Sequence, residues 1–74
     1  MVAFKQGVLR GLFQGFDGPG TIYEFTDGER WRQVCDTVRA HRAFMPDARI
    51  SKNGEKYFLQ IEAFNVSVEV SPTL

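Results

Sequence analysis

The chain has one cysteine, Cys35, and one histidine, His41, among its 74 residues. A single cysteine excludes an internal disulfide, and no Cys/His cluster has the spacing of a zinc site, so no metal or other cofactor is expected. No apolar run approaches the roughly 20 residues that cross a bilayer, so no membrane partner is expected. Residues Met1 to Gly7 lack the basic stretch and apolar run of a secretory signal. Together with the lone thiol, this points to a reducing, cytoplasmic setting. The chain also lacks excess charge of either sign, with nine basic against nine acidic residues. A surface built throughout for nucleic acid has a domain pI above about 9, whereas this sequence has one near 6.5.

What remains is one small domain, 1–74. A chain of this size buries only about 60% of its unfolded surface, and such domains often rely on a disulfide, a metal or self-association. With the first two excluded, a homo-oligomer, most simply a dimer, is the expected partner state.

Turn chemistry punctuates the sequence. Thr21–Phe25 and Glu29–Gln33 alternate apolar and polar residues on either side of Asp27-Gly28, a strong hairpin signal when both central residues take positive φ. Asn53-Gly54 predicts a second tight hairpin, Ala63-Phe64-Asn65 marks a third reversal, and Val66–Val70 alternates strictly. Strands are predicted over 7–16, 20–27, 29–36, 47–53, 55–63 and 66–71. Short strands at this spacing make a mainly β protein, a small barrel or a strongly bent antiparallel sheet of five to six strands. Phe13, Tyr23, Phe25, Trp31, Leu59 and Ile61 fall on its core face. Residues 34–45 are open between two readings. Trp31, Val34, Cys35 and Val38 fall at helical spacing, and the alanines and arginines favour a short helix within 34–45. As a strand, Val34, Val38 and Phe44 share one face.

Glycines at 11, 15 and 18 surround Phe13 and Phe16. Their order does not fit a dinucleotide loop, and Pro19 removes a donor amide, so they are read as bends in a coiling strand. With Asp27, Gly28, Glu29, Trp31 and Gln33 they form a pattern. It resembles a family of short bacterial β proteins, some encoded by integron gene cassettes, with Gly-x-Phe-x-Gly-Trp-x-Gly followed by Asn-Gly-Gln-x-Trp-x-Gln. Phe16 replaces the Trp, Asp27 the Asn and Glu29 the Gln. Met45-Pro46 stands at the family's Arg-Pro, and Ile50, Gly54 and Ile61 follow in register. The chain departs from the pattern over Val34–Phe44, where the family has a tyrosine-rich alternation, and at Ala63, where it often has glycine. The resemblance implies a compact, SH3-like β fold and no activity.

Nucleophilic catalysis requires a nucleophile and a base held together. Cys35 and His41 are the one candidate pair, and their spacing brings them together on neither a helix nor a straight strand, so no enzyme is expected. The leading expectation is an interaction module that self-associates through apolar residues surplus to one small core, namely Phe4, Ile22, Phe58 and Phe64. The alternative is a small barrel that binds single-stranded nucleic acid, with Arg30, Arg32, Arg39 and Arg42 beside Tyr57 and Phe58.

Overall fold

A computed structural model describes residues 2–62 and 64–73. Among these there is no helix. Eight strands run in chain order as β1 Val2–Val8, β2 Leu12–Asp17, β3 Ile22–Glu24, β4 Arg30–Gln33, β5 Val38–Phe44, β6 Asp47–Asn53, β7 Lys56–Ile61 and β8 Ser67–Pro72. Of the two readings open for 34–45, the short helix is not formed and the strand is, over Val38–Phe44, and the five to six strands expected become eight. The six-stranded sheet has the order β1-β6-β7-β8-β4-β3, and β2 and β5 form a separate two-stranded ribbon. All pairings are antiparallel.

The two sheets meet at one corner. β1 and β2 follow each other along one long path, β5 and β6 along another, and the two paths pair on both sides of the bend. At the bend Leu9 N–H donates to Pro46 O (3.0 Å) and Met45 N–H to Gly11 O (2.8 Å). Gly11 and Met45 face each other there with φ of 74° and 47°. Both paths turn through the left-handed region at the same point, which swings the ribbon out of the main sheet. The glycine-marked bend expected in the first strand is thus a break at Gly11, with the strand resuming as β2.

The main sheet curls until its edges touch. Leu9 bridges Phe25, Arg10 N–H donates to Glu24 O (2.8 Å), and Thr26 N–H donates to Val8 O (2.9 Å). The contact does not continue as a ladder, so the sheet is not closed. Inside the curl lie Trp31, Phe16, Phe25, Ile50, Leu59, Ile61, Val68 and Val70, with Leu9, Phe13, Tyr23 and Ala48. The six core residues expected from alternation, Phe13, Tyr23, Phe25, Trp31, Leu59 and Ile61, are all buried.

The hairpins form where expected but with different turns. Phe25 and Glu29 close a three-residue loop in which only Gly28 has positive φ (92°), and Gly28 N–H donates to Phe25 O (2.9 Å). This is a turn followed by a glycine bulge, not a two-residue turn on Asp27-Gly28. Asn53 pairs with Lys56, so Gly54 (φ 65°) takes the first central position of the second hairpin. The third reversal is held by Phe64 N–H to Ile61 O and Val66 N–H to Phe64 O, both 2.9 Å; Ala63 lies outside the described residues.

One buried polar group anchors the crossing from β4 to β5. Gln33 is fully buried; its Oε1 accepts from the Tyr23 hydroxyl (2.6 Å), and its Nε2 donates to Cys35 O (3.0 Å) and Thr37 O (2.8 Å). Burial pushes the Tyr23 phenol up to about 12, so it remains a donor. Tyr23→Phe removes the donor to Gln33 Oε1 and leaves that oxygen buried. We expect a loss of about 1–3 kcal/mol in urea denaturation, with the fold retained.

Candidate interaction surface

The residues expected to bind nucleic acid are dispersed. Arg30 and Arg32 lie on β4, opposite Glu24 and Ile22, and Arg30 Nε lies 3.8 Å from Glu24 Oε1. Arg39 and Arg42 lie on β5 in the ribbon, an odd number of residues apart, so they project from opposite faces. Tyr57 turns inward against Trp31 (ring centroids 5.1 Å) and Phe4 (5.0 Å). Phe58 is half-buried between Ser51 and Glu69 on the other face of β7.

The four residues expected to form an interface do not share a patch either. Phe4 is a β-bulge residue. Ala3 pairs with Ser51 and Lys5 with Ile50, leaving Phe4 without an opposite, and its half-exposed ring leans on Trp31 and Tyr57. Phe64 lies against a different part of the molecule, stacked on His41 (4.5 Å, 5° between planes) and Phe16 (5.8 Å). Ile22 is half-exposed on β3. Cys35 and His41 have separate surroundings. The Cys35 sulfur contacts Gln33 Nε2 and Thr37 Oγ1, whereas His41 packs against Phe13 and Phe64. Among the described residues no cluster of His, Cys, Asp and Glu is placed to hold a metal, and no helix is long and apolar enough to cross a membrane.

The ribbon is where exposed apolar side chains gather. Leu12 and Phe44 are cross-strand partners and stand 52% and 74% exposed. Met45 follows directly, and Val38, at the far end of β5, is 66% exposed. Beside them β2 and β3 diverge from the Leu9–Phe25 bridge and do not pair again. The gap is a groove of about 460 Å³. Its floor is the aromatic cluster of Phe13, Phe16 and Tyr23, with ring centroids 5.4–6.2 Å apart. Its apolar walls are Leu12, Val38 and Ile22. Arg10 and Glu24 close one end, Nε to Oε2 at 3.5 Å. Of these residues only Ile22 was singled out by sequence as surplus. The strand reading of 34–45 had set Val38 and Phe44 on one face, and that was the signal for the rest.

Comparison with protein-family models, curated proteins and solved structures finds no match.

Proposed function

We propose that this protein is a non-enzymatic interaction module that self-associates, and that the β2–β5 ribbon is its working surface. The observation that carries this reading is the concentration of Leu12, Val38, Phe44 and Met45 on a ribbon that shares only its inner face with the core. A small domain gains most from covering such residues, because each buried large apolar side chain is worth about 1.5–3 kcal/mol. The inward-facing Tyr57, the buried Trp31 and the dispersed arginines lend the nucleic-acid alternative no comparable support. On the same footing, the curled sheet with its single edge bridge is read as an opened SH3-like barrel. The left-handed glycines at 11, 15 and 18 support kinship with the cassette-encoded β proteins.

Sedimentation velocity tests the reading. Between about 10 µM and about 500 µM, the range of a weak pair, we expect the average mass to rise from monomer toward dimer. Phe44→Ser is expected to keep the fold, since Phe44 is exposed, and to shift that rise upward in concentration by about tenfold. A monomer throughout, or a rise that Phe44→Ser leaves in place, overturns the assignment to the ribbon.

A further inference from the structure

We propose that the ribbon takes a second copy of this chain edge to edge, through β5, in the antiparallel register centred on His41. This rests on the ribbon being the working surface and adds how the two copies meet.

Among the described residues β5 is paired with β2 on one side only, so Val38–Phe44 presents a free edge seven residues long. The contacts show which backbone groups that edge offers. Gly18 N–H donates to Thr37 O and Met45 N–H to Gly11 O, so residues 37 and 45 address β2. Between them, Arg39 O and His41 N lie against Gly15 of β2. The ladder shifts register between Phe13 and Gly15, where Gln14 stands against both His41 and Arg42. Odd-numbered residues of β5 nonetheless address β2 on both sides of the shift, so the N–H and C=O groups of Val38, Ala40, Arg42 and Phe44 point away from it.

Two copies related by a two-fold axis can pair these groups only when even-numbered residues meet even-numbered residues, so the axis must pass through a residue and not between two. Centred on His41, Val38 meets Phe44 of the second copy and Ala40 meets Arg42, each twice by symmetry. On the other face Arg39 meets Ala43. The two exposed apolar ends cover each other, and every arginine lies over an alanine. Centring on Ala40 sets Arg39 against His41 and leaves Phe44 unpaired. Centring on Arg42 sets Arg42 against itself. Arginines on an edge strand ordinarily guard it against pairing. Here one register spans the whole strand without opposing two cations, and the exposed Val38 and Phe44 at its ends are not residues of a guarded edge.

Opposite charge changes at Ala40 test this register. Ala40 is exposed, so neither variant threatens the fold. Ala40→Glu places a carboxylate opposite Arg42 of the second copy, and Ala40→Lys places a second cation there. We expect the dimer dissociation constant from sedimentation to fall about fivefold with Glu and rise about fivefold with Lys. A cysteine pair gives an independent readout. In a Cys35→Ser background, His41→Cys puts like residues directly opposite in a non-hydrogen-bonded pair, about 4.5 Å between Cα atoms, where a disulfide forms. Arg39→Cys puts them several residues apart. Oxidation should link the first variant into a covalent dimer and leave the second without a cross-link. If association persists and Phe44→Ser weakens it, but Glu and Lys at 40 act alike or Arg39→Cys links as readily as His41→Cys, the register is wrong and the ribbon assignment stands. If nothing associates, both fall.

Discussion

Trp31→Ala is expected to unfold the domain or bring it to the edge of unfolding. Trp31 is 2% exposed on β4, where it pairs with Tyr23 of β3 and Pro72 of β8. Its ring meets Tyr57 at 5.1 Å and Phe4 at 6.0 Å, and its Nε1 donates to Glu29 Oε1 (2.7 Å) at the hairpin that leads into β4. Alanine empties the centre of the curl and frees both neighbouring rings, a loss of about 3–5 kcal/mol. At about 0.05–0.15 kcal/mol per residue, a domain this small holds only about 4–11 kcal/mol in all. Urea denaturation followed by far-UV circular dichroism measures the loss. Trp31→Phe, which keeps a ring in place and forfeits the indole hydrogen bond, should fall between the two. A native-like transition for the alanine variant would mean that the core lies elsewhere.

Alternation made the core legible because the strands that carry it have one face inside and one outside. Leu59 and Ile61 pair across to Val68, Ile50 and Ala48, all fully or almost fully buried, and apart from Phe58 their neighbours along the strands are polar. β1 was less legible for a physical reason. Its inward positions are Lys5 and Gly7, opposite Ile50 and Ala48. Gly7 leaves room for the Phe25 ring, whose Cδ2 would lie 3.1 Å from a Cβ there. The Lys5 ammonium sits 4.9 Å from the centre of the same ring and pairs with Asp27 and Glu29. A lysine and a glycine facing inward give no hydrophobic period to read.

β5 was obscured by the opposite arrangement. Its large apolar residues, Val38 and Phe44, are outside, and its inner face carries Arg39, His41 and Ala43. Helix-favouring alanines and arginines then outweigh a pattern that runs against burial, and pairing with a strand more than twenty residues distant decides the matter. The same inversion hid the candidate surface. A surplus of apolar residues was visible in the sequence, but assigning it to Phe4 and Phe64 overlooked that a bulge at Phe4 and a stack on His41 give those rings partners within the chain.

Gly15→Ala is expected to detach the ribbon, with consequences for association that reach beyond stability. A Cβ at Gly15 would stand 2.1 Å from Arg39 O, 2.8 Å from His41 N and 3.0 Å from Ala40 Cα. All three are backbone atoms of β5 and cannot turn aside as a side-chain end can. The residue also holds φ of 117°, a conformation that L side chains rarely adopt. Backbone strain of about 1–3 kcal/mol and overpacking of a further 1–3 kcal/mol both act on the β2–β5 pairing. Gly11→Ala is the informative comparison. Gly11 also has positive φ, but nothing lies within 4 Å of a Cβ there, so it bears only the conformational cost, about 1 kcal/mol. Hydrogen exchange should show amides of residues 38–44 losing protection in the Gly15 variant, while those of β6, β7 and β8 keep more of theirs. Because the edge offered to a second copy exists only while β5 is held against β2, self-association should vanish in the same variant and survive in Gly11→Ala. Exchange unchanged over 38–44 would show that the close approach at Gly15 does not hold the ribbon. Exchange lost there with the dimer intact would place the contact between copies on another surface.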